Sequence, residues 1–169
     1  MKIIKGKPDQ LETIFSLLQA CAADMRDQGI AQWNENYPLL KDVQKDLFSQ
    51  SLYIVQIEGN LAGIVVFDEN QSPEYIDVEW EFTKGKIGVI HRLAVHPQFQ
   101  GKGIARKLMD YIEVFAKKNQ YQSIRLDAYS QNPRTLKFYQ NRGYKKCGEI
   151  YFPYRDDPFD CFEINLSNC

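Results

Sequence analysis

The spacing of apolar positions changes several times along the chain, and each change marks a predicted element. "KIIKG" (2–6) is a brief apolar run that reads as a short strand. Pro8 and Asp9 then open a helix in which Ile14, Leu17, Leu18, Cys21 and Met25 recur three and four residues apart, giving one apolar face. Gly29 and Pro38 interrupt the pattern within "DQGIAQWNENYP" (27–38), and "LLKDVQKDLFSQ" (39–50) predicts a second helix. "SLYIVQIEG" and "NLAGIVVFDEN" are apolar runs joined at Glu58-Gly59-Asn60, the signature of an antiparallel hairpin. "SPEYIDVEWEFTKGK" (72–86) is polar and aromatic and reads as a loop or strand edge. "IGVIHRLAV" (87–95) has few polar residues, as a central strand should.

The second half repeats the alternation of helix and strand. Gly101 to Lys118 predicts a long amphipathic helix whose buried face carries Ile104, Leu108, Tyr111, Ile112 and Phe115. "SIRLDAY" (123–129) is a strand. Pro133 to Asn141 is a short helix with Asn132 at its N-cap and Pro133 at N1, and Gly143 ends it. "YKKCGEIYF" and "DCFEINL" finish the chain as two strands. The order βααβββαβαββ predicts an α+β fold on one mixed sheet of about seven strands. Strands 87–95 and 123–129 bracket a helix, so they should be parallel through a right-handed crossover. No repeat or linker divides the 169 residues, which suit a single domain, 1–169, with a sizeable core.

Composition narrows the function classes. A formal net charge of −1 argues against a nucleic-acid backbone binder. The cysteines at 21, 147, 161 and 169 show no CxxC pair, and only His91 and His96 are there to join them. Free cytosolic thiols are expected, and no metal. The start, "MKIIKGKPDQ", lacks the apolar core of a signal peptide, and no apolar run approaches the ~18 residues of a membrane span. These features predict a soluble cytoplasmic protein with neither a membrane nor a nucleic-acid partner.

Candidate chemistry centres on "HPQFQGKGIARKLMDYIEVF" (96–115), where strand gives way to helix. A helix N-terminus carries unpaired N–H groups and about half a positive charge. Gly101 and Gly103 let a ligand approach the backbone, and Lys102, Arg106 and Lys107 add cations, so the turn can cradle a phosphate or diphosphate. A tight turn needing glycine for backbone reasons alone is the competing reading. A P-loop would need GxxxxGK[ST], which is absent, and a dinucleotide fingerprint fails at its third position, here Arg106.

"VIHRLAVHPQFQGKGIA" (89–105) resembles the central motif of the GNAT family of N-acetyltransferases, Q/R-x-x-G-x-G/A after an L-A-V strand. Gln100, Gly103 and Ala105 fill its fixed positions, Leu93-Ala94-Val95 the strand and Pro97 the turn. "NPRTLKFYQNRGYKKCGE" (132–149) is similar to the family's second block, with Asn132, Phe138, Tyr139, Gly143 and Tyr144 in place. The resemblance implies a GNAT-like mixed sheet with helices on both faces and a splayed parallel pair at its centre. It also implies acetyl-CoA as cosubstrate, lying between strands 87–95 and 123–129. Backbone groups of Leu93, Ala94 and Val95 would pair with the pantetheine arm. Amides of Gln100, Gly101, Lys102, Gly103, Ile104 and Ala105 would hold the diphosphate.

The implied chemistry is direct transfer of acetyl from the thioester to an amine. Tyr139 matches the family's usual acid beside the sulfur, against a core aromatic as the plainer reading. Asn132, two turns before Tyr139, would bind the pantetheine or a water. His91 resembles one of two histidines in the arylalkylamine branch and is a candidate base; a satisfied strand histidine is the alternative. Other branches relay the proton through water from a glutamate, for which Glu79 and Glu81 are candidates. Acceptor residues would come from Trp33, Glu35 and Tyr37, and from Tyr151, Tyr154, Arg155 and Asp157. A small or amino-acid-like primary amine leads. A protein N-terminus or lysine, and a catalytically silent acyl-CoA-binding module, are the alternatives. Dimers are common in the family, and exposed edge strands near the C-terminus offer a homodimer surface.

Overall fold

The computed structural model describes residues 2–153 and 155–166, and its elements follow the order read from the pattern. Strands β1 (Ile3–Lys5), β2 (Leu52–Ile57), β3 (Asn60–Asp68), β4 (Lys86–Val95), β5 (Tyr121–Tyr129), β6 (Lys145–Ile150) and β7 (Phe159–Asn165) form a seven-stranded sheet ordered β1-β2-β3-β4-β5-β7-β6. The α-helices are α1 (Leu11–Asp27), α2 (Leu40–Phe48), α3 (Ile104–Lys118) and α4 (Pro133–Asn141). β4 and β5 are parallel, with Val89 beside Arg125 and Ile90 beside Leu126. The β1–β2, β2–β3, β5–β7 and β6–β7 pairs are antiparallel, so the sheet is mixed.

Local chemistry explains both the agreement and the differences. Glu58 and Gly59 have φ of 50° and 80°, the two left-handed positions of a two-residue hairpin turn. Pro8–Gln10 forms a 3-10 turn, and α1 starts after it, at Leu11. A second 3-10 turn, Pro73–Asp77, lies in the segment read as loop. α3 begins at Ile104 and not at Gly101, because Gly101 and Gly103 sit at φ 75° and 74°, outside the helical region.

The chain divides into two compact units, Met1–Phe67 with Arg92–Ile112, and Asp68–His91 with Glu113–Cys169. In the first, Ile14, Leu17, Leu18 and Cys21 of α1 and Val43 and Leu47 of α2 cover Leu52, Ile54, Ile64, Val66 and Ala94. Alternation along the strands turns Gly63 to the opposite face, under α3. A β-carbon there would meet the Ala94 carbonyl oxygen at 3.0 Å, Ile104 at 3.0 Å and Leu108 at 3.2 Å. The first unit therefore has helices on both sheet faces. Tyr111, expected on the buried side of α3, lies at its edge and is 37% exposed, its ring against Tyr53. In the second unit, Leu126 pairs with Phe162, on whose side Tyr139 of α4 packs. The alternate residues Ser123, Arg125 and Asp127 occupy the other face of β5.

One charge pair lies inside the first unit. Arg92 is 7% exposed; its guanidinium pairs with Asp46 of α2 and donates to the Tyr37 hydroxyl at 2.5 Å. Removing one partner of a buried pair strands the other charge, whereas replacing both by apolar groups need cost little. Asp46→Ala is expected to lower stability by about 3–5 kcal/mol in urea unfolding, and Asp46→Leu with Arg92→Met to recover most of that loss.

Candidate active site

In the first unit, β4 ends at Val95 and the chain turns through Pro97–Phe99. His96 caps that turn, its Nδ1 accepting from the Gln98 N–H at 3.3 Å. The Gln100 N–H donates to the Pro97 carbonyl, and its side chain donates to Asp24 on α1 at 3.1 Å. The Val95 carbonyl accepts from the Cys21 thiol at 3.3 Å. Burial, reinforced by the Asp24 charge and eased slightly by this hydrogen bond, pushes that thiol up to about 12, so it stays protonated. α1 thus ties down both the strand end and the turn.

Beyond Gln100 the backbone opens. Nothing lies within 4 Å of a β-carbon built on Gly101 or Gly103, so conformation and not crowding demands glycine there. The first helical bond of α3 runs from Lys107 N–H to the Gly103 carbonyl, at 3.1 Å. The N–H groups of Ile104, Ala105 and Arg106 have no acceptor within the helix. Lys102, Arg106 and Lys107 are exposed around them. Amides left over at the helix start, the positive dipole end, open space and exposed cations, Lys102 over the Phe99 ring among them, fit a diphosphate. Leu93 and Val95 are half-buried and Ala94 is buried.

The second unit holds the candidate acid and base. Asn132 is buried and caps α4, its side-chain oxygen accepting from Thr135 N–H at 3.2 Å. Tyr139, 6% exposed, is wedged among Phe138, Tyr144 and Phe162. Burial and then the Asp127 charge raise its pKa well above the usual phenol, against a lesser pull from Arg142. It keeps its proton at physiological pH. His91 is half-buried, with Nε2 2.7 Å from Asp68 Oδ1. Asp127 accepts from the Tyr75 hydroxyl at 2.7 Å. Asp68, Tyr75 and Asp127 were not singled out in the sequence, although Asp68 closes an apolar strand and Asp127 interrupts one.

The model of the acetyltransferase (GNAT) family matches residues 18–144, which include both motif blocks. The chain belongs to the GNAT family. It is an acetyltransferase. It is 27% identical over 151 residues to the uncharacterized N-acetyltransferase YesJ of Bacillus subtilis, covering 83% of this chain and 79% of that one. Its fold is similar to that of a GNAT-family acetyltransferase from Streptococcus agalactiae, at TM-score 0.82 and 20% identity over 97% and 94% of the two chains. An N-acetyltransferase from Staphylococcus aureus Mu50 is also similar in fold, at TM-score 0.70 and 17% identity over 98% of each chain.

The other candidate residues of this GNAT acetyltransferase are scattered in environment. Glu79 and Glu81 are exposed. Their loop is held through its main chain: Glu163 accepts from the N–H groups of Glu81 (2.9 Å) and Phe82 (3.3 Å). Arg125 bonds Glu163 at 3.1 Å and stacks 4.3 Å from Trp80. Trp33 belongs to the apolar core, Glu35 is exposed, and Tyr37 is the partner of Arg92. Tyr151 is exposed, Arg155 lies over Phe159, and Asp157 accepts from the Tyr129 hydroxyl at 2.6 Å. Tyr154 lies outside the described residues. Among the described residues no cluster of His, Cys, Asp or Glu is arranged to hold a metal ion.

Asp127 makes a pH-dependent prediction. Burial raises its carboxyl to about 6, with a small addition from Glu74, against the Tyr75 hydrogen bond and the His91 charge. A raised folded-state value means that the bound proton stabilises the fold below the ordinary carboxyl range, and that this is lost as pH rises through about 6. Asp127→Asn, neutral throughout, should gain about 2–3 kcal/mol over the parent between pH 4 and pH 7 in urea unfolding.

Proposed function

We propose that residues 1–169 act as one N-acetyltransferase domain, moving acetyl from acetyl-CoA directly to the primary amine of a small or amino-acid-like acceptor. The observation that carries this reading is the open turn at Gly101–Gly103 with three exposed cations at the start of α3, where a helix leaves its first amides over. Acetyl-CoA supplies the acetyl group in activated form, as a thioester. The amides of Ile104, Ala105 and Arg106 and the turn around Lys102 hold the diphosphate, and backbone groups of Leu93, Ala94 and Val95 hold the pantetheine arm. Gln100 braces the turn through Asp24, and Asn132, which caps α4, binds the pantetheine or a water.

Tyr139 serves as the acid, because its buried phenol retains a proton for a leaving group. His91 serves as the base, because a half-buried imidazole that meets the Asp68 carboxylate through Nε2 keeps its other ring nitrogen for a proton. Glu79 and Glu81 are less suited, being solvated at the surface. A cytoplasmic setting is in keeping with the free thiols of Cys21, Cys147 and Cys161. Among the described residues no helix is long and apolar enough to cross a membrane.

The test is calorimetric titration with acetyl-CoA, then thiol release with tyramine, spermidine, L-lysine, L-phenylalanine and an unblocked alanine-led peptide. Binding plus release with a small amine is expected. Release with the peptide alone would move the acceptor to proteins, and binding without release would indicate a silent module. No binding would overturn the reading. Gly103→Glu should weaken acetyl-CoA binding at least tenfold by charge and by strain at positive φ, while Gly103→Asn, which tolerates that conformation, should stay within a few-fold. Tyr139→Phe should lower turnover at least tenfold with acetyl-CoA affinity nearly unchanged; equal turnover would remove it as the acid.

A further inference from the structure

The contact between His91 and Asp68 fixes more than a distance. Asp68 is the last residue of β3, and Asn70 follows it past a bend at Glu69. The Asn70 N–H donates to Asp68 Oδ1 at 2.7 Å and its side-chain amide to Oδ2 at 3.0 Å. His91 Nε2 approaches Oδ1 at 2.7 Å, and both side chains are 22% exposed. An ionised carboxylate can only accept. The ring nitrogen facing it must therefore carry the hydrogen, which leaves Nδ1 of the neutral imidazole with its lone pair.

The surroundings keep the carboxylate ionised. Burial alone would raise Asp68, but the hydrogen bond and charge of His91 and the two bonds from Asn70 outweigh it and hold it low. On β5, Asp127 senses the His91 charge and is bonded by Tyr75, with Glu74 adjoining. Glu69, beside Asp68 in sequence, turns to Tyr121 at 2.9 Å and Lys86 at 3.5 Å. It leaves the Asp68–His91 bond uncontested.

We propose that Asp68 is a positioning residue for acetyl transfer: it holds His91 as the Nε2–H tautomer, so that Nδ1 takes the acceptor's proton, and it stabilises the imidazolium formed. This rests on the reading of His91 as the base. The balance is complete without a further reactant. The amine's electron pair forms the C–N bond as the C–S bond breaks, the amine's proton passes to Nδ1, and the Tyr139 proton goes to the sulfur. Solvent then restores both side chains, and Asp68 remains a carboxylate throughout.

With His91 and His96 the only two histidines, 15N NMR of the labelled full chain resolves the tautomer directly. The neutral His91 ring is expected as Nε2–H at pH 8, and as a mixture in Asp68→Asn. With the fastest amine of the panel, Asp68→Asn should lower kcat about 10- to 100-fold, leave acetyl-CoA affinity within twofold, and be partly rescued by Asp68→Glu. An Nδ1–H tautomer in the parent protein would overturn the proposal even if Asp68→Asn failed to fold. So would unchanged kcat in Asp68→Asn beside a severe loss in His91→Gln. Full turnover by His91→Gln would instead overturn the base reading, and the proposal with it, whatever the tautomer.

Discussion

A parallel strand pair cannot be closed by a tight turn, and much of this molecule follows from that restriction. The chain that leaves β4 at Val95 has to cross over before it can enter β5 at Tyr121 beside its own earlier strand, and α3 is the crossover. A helix that begins soon after a strand ends presents its unpaired N–H groups at the strand's carboxyl end. The backbone must also change direction sharply there, and Gly101 and Gly103, at φ 75° and 74°, permit it. The open turn, with Lys102, Arg106 and Lys107 exposed around it, is thus a by-product of topology.

The second unit shows how polar groups are kept in buried and half-buried settings. Each has a partner of complementary character: Asp68 has Asn70 and His91, Asp127 has Tyr75, and Arg125 has Glu163. Such pairing is what allows ionisable side chains to sit away from bulk water at all. Burial and pairing compete over two of these carboxyls: the same burial that keeps the Tyr139 proton in place pushes Asp127 toward neutrality despite Tyr75, while at Asp68 the partners prevail and hold it charged. Groups of one chemical type are driven apart in behaviour by their neighbours.

The order of strands and helices was readable because long apolar periodicities carry it, as in Ile14, Leu17, Leu18 and Cys21 of α1. The hairpin at Glu58-Gly59 and the cap at Asn132-Pro133 were readable for a different reason, since local turn chemistry needs no partner. What escaped depends on contacts distant in sequence. The insertion of β7 between β5 and β6, the Arg92–Asp46 pair and the bond from Asp68 to His91 join positions with no local signature. Trp33, an acceptor candidate from its neighbours in sequence, is claimed by the core. The motif residues themselves were legible, but the carboxylates of the same unit, Asp68 and Asp127, were not.

The loop before β4 is gripped by its main chain. Glu163 accepts from the amides of Glu81 and Phe82, and Arg125 donates to the Phe82 carbonyl. These main-chain grips do not use the side chains of Glu79 and Glu81, whereas Trp80 between them is held by its ring, over Arg125. The exposed residues Glu79 and Glu81 can therefore drift among sequences while the path beneath them is kept. For a lineage, this separates innovation from foldability: surface chemistry changes by point substitution without renegotiating the sheet. For a laboratory library, randomising those two positions costs little in misfolded clones, whereas randomising Arg125 or Glu163 mostly samples unfolding.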